Sequence, residues 1–411
     1  LFNDVNLFWY PSIVESNEKQ ITIGDLHSNA LLLVYILIRH QVLKVSVTKY
    51  LKLVGCYQSL AQNPQDEYSY HEFLKIIYEA EVVNKPLIRM IGDELADRGG
   101  NDLLILFILK KLQEHQVPYR IILSNHGLCF LSRYAALVNG VEQKNPMVPP
   151  GYSTSFDTLL LYYTNDHIEL KTIKNWVSQA YLPYLQLFDY SLHGNQITLY
   201  THGINGIEQF QQLATEFNID WNDNDMVALA TTLEQLQHHF KQEKLYPLLN
   251  AFVISACDAP EEYVQKMQWF RESTMYFVCE NRSVCPTVLT RPEIYKGYHV
   301  KYAHGHHPEV NPPQNAISLD GALGKHIRLS QGLLMEYLCY GEDVKSYRSK
   351  LKKQETSPLK RLFLPCLGVM ACGYLFNQYS GNLFFLNWMQ GYFALFSKDF
   401  NSTNAMQKLT F

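Results

Sequence analysis

A chain of 411 residues with 47% hydrophobic and 18% charged residues, 21 Gly and 17 Pro has the material for a sizeable core, which excludes disordered, collagen-like and coiled-coil classes. The formal net charge of −4 lacks the basic excess of a nucleic-acid binder, so no nucleic-acid partner is expected. Eight cysteines without a C-x-x-C pair, the closest being Cys279 with Cys285 and Cys366 with Cys372, fit neither a disulfide scaffold nor a cysteine-rich zinc module. They read as reduced thiols of a soluble, cytoplasmic-type protein.

The chain begins Leu1-Phe2-Asn3 without Met, which reads as a trimmed chain that could have lost a signal; no cationic start followed by an apolar run is present. Five places then share one local design, a short β-type run followed by a sharp turn carrying Asp, His or Asn. In chain order, Gln20-Ile21-Thr22-Ile23 leads into Gly24-Asp25-Leu26-His27-Ser28-Asn29. Pro86-Leu87-Ile88-Arg89-Met90-Ile91 leads into Gly92-Asp93-Glu94-Leu95-Ala96-Asp97-Arg98-Gly99, and Tyr119-Arg120-Ile121-Ile122-Leu123 into Ser124-Asn125-His126-Gly127. Gln196-Ile197-Thr198-Leu199-Tyr200 precedes Thr201-His202-Gly203, and His299-Val300-Lys301-Tyr302-Ala303 precedes His304-Gly305-His306-His307-Pro308.

Apolar-rich stretches at 30–42 and 102–115 predict helices after the first two turns, with Asn101 or Asp102 as a cap for the second. Repeated strand, loop and helix predict an α/β fold, in which ligands collect outside the carboxyl ends of strands, so the five turns are expected to converge. The segments about 44–80 and 207–252 read as helical insertions, broken at Gln62-Asn63-Pro64-Gln65-Asp66 and at 218–224. Residues 345–361 are strongly basic, and 362–397 contain no Asp, Glu, Lys or Arg. Asn377, Gln378, Asn382, Asn387 and Gln390 divide that stretch into runs shorter than the roughly 18–20 apolar residues that cross a bilayer. Buried helices are favoured there over membrane contact or a partner-binding groove.

Each turn has an ordinary reading taken singly. Asp25 with His27 arises by chance in many proteins, Asp93 with Asp97-Arg98 makes a structural salt bridge, and Asn125-His126 makes a plain turn. His202 and the His304, His306, His307 cluster pass for surface or capping histidines. Together, two Asp, one Asn and several His at strand ends form a ligand set suited to a pair of ions such as Mn, Fe or Zn. A carboxylate shared by two ions is an arrangement that clamps an in-line phosphoryl displacement.

The order G-D-x-H, G-D-x-x-D-R-G, N-H, H-G and G-H-x-P resembles the calcineurin-like metallophosphoesterases and, through the complete Gly92 to Gly99 motif, their phosphoprotein phosphatase branch. The resemblance spans about residues 21–308. The extra helical segments and Tyr-rich background are also similar to the Wip effector phosphatases of Legionella, which would imply secretion into a host cell. The resemblance implies a two-sheet β-sandwich flanked by helices; a catalytic domain is expected over 1–330, and beyond the resemblance a helical C-terminal extension over 331–411 that is a candidate partner-binding element. It further implies two divalent metal ions, Mn ahead of Fe or Zn. Asp25 and His27 would hold one ion, Asp93 would bridge, and Asn125, His202 and His306 would hold the other. His304 is the alternative to His306, since Tyr302-Ala303-His304 approximates an R-A-H form.

By the same resemblance His126 is the general acid, Asp97 its orienting partner and Arg98 a phosphoryl ligand. Arg271 of Trp269-Phe270-Arg271 is the second phosphoryl arginine, with Arg282 as fallback and an ordinary helix-surface arginine as the plain alternative. Two departures stand out. Ser28 replaces a family Gly, and Ser124-Asn125-His126-Gly127 replaces G-N-H-E, removing an outer Glu of the kind that tunes metal affinity by roughly 10–100-fold. The expected function is hydrolysis of phosphomonoesters on phosphoprotein by in-line attack of a metal-bridging hydroxide, leaning to phosphotyrosine over phosphoserine or phosphothreonine. The alternatives are a nucleotide or dinucleotide polyphosphate hydrolase and a non-catalytic phosphatase-like scaffold.

Overall fold

The structure is a computed structural model describing residues 2–14, 20–140, 154–245, 290–306, 313–321, 323–325 and 330–355. Its strands are β1 (Phe2–Asn6), β2 (Gln20–Ile23), β3 (Leu43–Lys44), β4 (Glu81–Val82), β5 (Leu87–Met90), β6 (Tyr119–Ile122), β7 (Leu185–Gln186), β8 (Asp189–His193), β9 (Gln196–Thr201), β10 (Ile294–Tyr295), β11 (Tyr298–His304), β12 (Ala316–Ser318) and β13 (Gln331–Cys339). The helices that matter below are α1 (Ala30–Arg39), α2 (Val47–Gln62), α3 (Glu67–Glu79), α4 (Asp102–Glu114), α5 (Asn125–Val138), α6 (Thr154–Thr164), α7 (Leu170–Trp176), α8 (Ile207–Glu216), α9 (Met226–His239) and α10 (Val344–Glu355).

The fold is mixed α/β. One sheet has the order β1-β13-β2-β5-β6-β7, with β2, β5, β6 and β7 parallel. A second has the order β10-β11-β9-β8, with β12 beside β11; β9, β11 and β12 run parallel. Parallel strands need long crossovers, which explains why helices lie between β2, β5 and β6. Helix α1 is buried along its whole length, and α4 packs against α1, α3, α6 and α7. Helices α2 and α3 occupy the first predicted insertion, whose base is closed by the β3–β4 pair, and Asp66 caps α3 at the expected break. Helices α8 and α9 fall in the second.

The chain divides into two compact units, Leu1–Val344 and Lys345–Phe411. Strand β13 pairs with β1 and β2, and residues 331–344 fall in the first unit. The reason is visible at Glu336, a charged residue that interrupts the apolar pattern of this strand yet is buried, because Arg39 and His40 meet its carboxylate at 3.2 and 2.6 Å. Among the described residues no helix is long and apolar enough to cross a membrane. The uncharged segment 362–397 lies outside them.

Residues from both sheets share one apolar cluster: Ile91, Ile122 and Met335 meet Tyr200, Ala303 and Ile317. A buried guanidinium ties the sheets together beside it. Arg89 on β5 donates from Nε to Asp189 of β8 at 2.6 Å, from Nη1 to Thr22 at 3.0 Å and from Nη2 to Gln20 at 3.2 Å, and lies 3.7 Å from the ring centre of Tyr200 on β9. Arg120 meets the other Asp189 oxygen. Burial alone would raise the Asp189 pKa, but Arg120 and Arg89 hold it below the ordinary carboxylate value.

Breaking a buried pair strands the remaining charge, so Asp189→Asn is expected to lower stability by about 3–5 kcal/mol in urea unfolding. Because the folded pKa is depressed, the stabilisation is full above the unfolded carboxylate value of about 3.9 and is lost as pH falls through the folded value. The variant should therefore lose part of the wild-type dependence of stability on pH in the acid range; an unchanged profile would refute the pairing.

Candidate active site

The five polar turns sit at the carboxyl ends of parallel strands, β2, β5 and β6 in one sheet and β9 and β11 in the other, and the structure brings them together. Asp25, His27, Asp93, Asp97, His126 and His202 are all at most 5% exposed. His202 stands between the two sheets' contributions. Its Nε2 lies 2.8 Å from Asn125 Oδ1 and 3.5 Å from Asp93 Oδ1, while its Nδ1 lies 3.6 Å from Asp25 Oδ1. The approach depends on Gly92, whose φ of +148° suits glycine and where a Cβ would collide with the His202 ring.

His306 joins the cluster through its backbone N–H, which donates to Asp25 Oδ2 at 2.8 Å, and its ring lies 5.0 Å from that of His202. His304 ends β11, with its Nδ1 3.0 Å from the Gly305 carbonyl oxygen. Asp97 serves three neighbours: His27 Nδ1 at 2.9 Å, Arg98 Nε at 3.0 Å and His126 Nε2 at 3.4 Å. His126 Nδ1 donates to the Ala96 carbonyl at 2.7 Å. Arg98 is partly exposed at the edge of the cluster. Arg271, Arg282, Trp269 and His307 lie outside the described residues.

The two serines that depart from the family pattern have structural duties. Ser124 Oγ accepts the Asp93 N–H at 3.0 Å and the Gly127 N–H at 2.8 Å, capping α5 and fixing the second motif at once. Ser28 Oγ accepts the Asp97 N–H at 2.9 Å, and the Ser28 N–H donates to the Asp93 carbonyl at 2.8 Å. These bonds hold a backbone in which His27, Ser28, Asp93, Ala96 and His306 all have positive φ, a cost that a tightly determined site carries. The missing Glu has a counterpart in space. Tyr181 donates to the buried Glu94 at 2.6 Å, and its hydroxyl lies 3.4 Å from where a side chain at Gly127 would begin.

The electrostatics show what the cluster lacks. Burial raises the Asp25 pKa well above the usual value, and the charges of Asp93 and Asp320 push it further. Burial would raise Asp93 too, but His202, His126, His27 and His306 hold it low. Burial opposes protonation of His27, yet Asp97, Asp25 and Asp93 outweigh it and lift the value to about 9. Burial lowers His202 to about 4, so that ring is neutral at pH 7. His202 Nε2 meets Asn125 Oδ1, while its Nδ1 faces Asp25 Oδ1. His202 Nδ1, Asp25 Oδ1 and Asp93 Oδ1 are buried without a hydrogen-bond partner. Acceptors crowded in this way fit a cation.

Two groups have ligand atoms within 4.8 Å of one another and are able to hold a metal ion: His27, Asp93 and Asp97, and Asp25, His27 and Asp320. Asp320 was not among the expected residues. Its signal was available, because Asn315-Ala316-Ile317-Ser318-Leu319-Asp320-Gly321 is a sixth short run followed by an Asp-Gly turn.

Comparison with protein families matches residues 87–325 to the phosphatase domain of WipA-like proteins. Among solved structures the chain is similar to the phosphatase domain from the Legionella effector WipB, with a TM-score of 0.55 and 24% identity, over 70% of this chain and 99% of that one. At that identity the likeness bears on the fold. Comparison with curated proteins found no match.

Ser124→Ala removes a helix cap and leaves the buried Asp93 N–H without its acceptor. The expected loss is about 1–3 kcal/mol in urea unfolding, more than an ordinary exposed cap costs. A loss within about 0.5 kcal/mol would show that Ser124 does not fix this turn.

Proposed function

The chain belongs to the WipA-like phosphatase-domain family, and we propose that it is a metal-dependent phosphatase hydrolysing phosphomonoesters on phosphoprotein, with the strand-end cluster as its active site. The reading is supported above all by Asp25 Oδ1, Asp93 Oδ1 and His202 Nδ1, buried without hydrogen-bond partners, and by the two groups of His and Asp side chains able to hold a metal ion. Under it the two sheets form a calcineurin-like sandwich, with the catalytic part reaching Val344 and the remainder a helical extension. Asp25 and His27 would hold one ion, Asp93 would serve both, and Asn125, His202 and His306 would hold the second. Two divalent ions, Mn ahead of Fe or Zn, supply when bound the positive charge that draws in phosphoryl oxygens and acidifies water toward neutrality.

The chain's own residues do the rest. Arg98, at the edge of the cluster, grips the phosphoryl oxygens with fork geometry, and Arg271 is assigned the opposite side. His126 carries the proton for the leaving oxygen at Nε2, because its Nδ1–H is committed to the Ala96 carbonyl. Asp97, whose Oδ1 lies 3.4 Å from that nitrogen, is its orienting partner. The substrate class is phosphoprotein, leaning to phosphotyrosine, and the relative's description as an effector points to action inside a host cell.

The direct test is hydrolysis of a chromogenic aryl phosphate by metal-stripped protein with and without Mn, followed by a phosphopeptide panel. Turnover that appears only with metal and extends to phosphotyrosine peptides is expected. Absence of metal-dependent turnover would leave the protein a phosphatase-like scaffold.

His126→Asn should retain bound metal while slowing hydrolysis by roughly 10²–10⁴-fold, with the greatest loss on esters of poor leaving groups. An equal loss on good and poor leaving groups would remove His126 as the proton donor.

A further inference from the structure

We propose that Asp320 is a ligand of the ion held by Asp25 and His27, so that this position draws on three carboxylates, Asp25, Asp93 and Asp320. The inference rests on the metal-dependent reading above and adds a residue outside the expected ligand set. Asp320 is 6% exposed, and its carboxylate belongs with Asp25 and His27 to a group whose ligand atoms all lie within 4.8 Å of one another. The chain is built to deliver it there. Strand β12 runs parallel to β11 in the register Ala303↔Ile317 and His304↔Ser318, and the Leu319 N–H continues the pairing to the His304 carbonyl at 2.7 Å. The next turn then presses against the first motif: a Cβ on Gly24 would collide with the Leu319 carbonyl oxygen, so only glycine lets the two backbones meet. Asp320 thereby arrives beside Asp25.

The obvious competing role is an ion pair with His27. Asp320 Oδ1 lies 3.9 Å from His27 Nε2, too far for a hydrogen bond; the Gly321 carbonyl takes that N–H at 2.9 Å, a contact that an ion bound at Nε2 would replace as the proton leaves. A pair of that kind does not account for a third buried carboxylate placed beside Asp25, whose Oδ1 has no hydrogen-bond partner. Like charges out of water repel, and a divalent ion between them converts that repulsion into attraction. Three carboxylate ligands and one imidazole also suit an oxygen-preferring ion such as Mn.

The experiment compares metal-stripped wild type with Asp320→Asn and Asp320→Glu by Mn calorimetry, metal content after gel filtration, and thermal unfolding with and without Mn. Wild type is expected to take two ions. Asp320→Asn should keep one ion near its wild-type affinity and weaken the other by at least the 10–100-fold found even for outer partners. The metal-free variant should remain folded, while the rise in melting temperature produced by Mn should shrink. Asp320→Glu, which keeps the charge, should recover part of the affinity. Two ions at wild-type affinity in Asp320→Asn would overturn the assignment, as would a metal-free protein destabilised so far that weak binding follows from misfolding. Wild type that binds no Mn would overturn the metal-dependent reading first and this assignment with it.

Discussion

Four carboxylates taken out of water in one place set the terms for the rest of this molecule. Asp25, Asp93, Asp97 and Asp320 are each no more than 6% exposed, and no core would gather them without compensation. The compensation within the chain is partial. Asp97 has His27, Arg98 and His126 around it, and Asp93 lies among histidines of which His27 carries a charge at neutral pH, but Asp25 is left with two acidic neighbours and a pKa driven up. Stability must be supplied from elsewhere, and the buried Arg89–Asp189 bridge between the sheets, flanked by Thr22, Gln20 and Tyr200, is a place where the same fold balances charge fully. The contrast separates a structural ion pair, with its polar groups satisfied, from a site with acceptors left bare.

Holding that imbalance requires a rigid backbone, and the serines at 28 and 124 show how it is achieved. Each stands where the metallophosphoesterase pattern that the sequence resembles has glycine, and each accepts an N–H from the Asp93–Asp97 turn. The second motif is thus clamped from the first and third, while Asp102 takes the Ala96 N–H from below at 3.0 Å. Glu94 and Tyr181 fill the space beside Gly127. The departures from the family pattern are therefore mutually consistent, with side-chain hydroxyls supplying order at the turns.

What was legible in the sequence was local. A β-type run ending on Gly-Asp or Asn-His specifies strand and turn from neighbouring residues, and β2, β5, β6, β9 and β11 all form where those runs lie. The caps Asn101 and Asp66 follow from the same short-range chemistry. Features that depend on distant partners were not legible. Strand β13 was concealed because Glu336 looks like a surface residue until Arg39 and His40 arrive from α1 and its end. Asp320 is legible only as an Asp at the end of a short run; its place beside His27, nearly 300 residues away in sequence, depends on the β11–β12 register. The relation of His304 to His306 likewise needs the pairing of β11 with β9: the Gly305 N–H meets the His202 carbonyl at 3.0 Å, and the following residue turns its backbone toward Asp25.

Charge also decides how such a site must work. A phosphomonoester brings close to two negative charges at neutral pH. Brought within about 4 Å of an uncompensated carboxylate, each charge pair costs about 4 kcal/mol at an effective dielectric of 20. Against several carboxylates, Arg98 cannot reverse the balance alone, particularly as its Nε is engaged by Asp97 at 3.0 Å. The cluster by itself thus repels a phosphomonoester. On the proposed reading, divalent ions would reverse the field at the point where the five strand ends meet and would make substrate binding conditional on metal occupancy. Under the proposed function, the buried carboxylates that are a liability to the fold are what give the bound ions their position, and the ions in turn give the phosphoryl group its place.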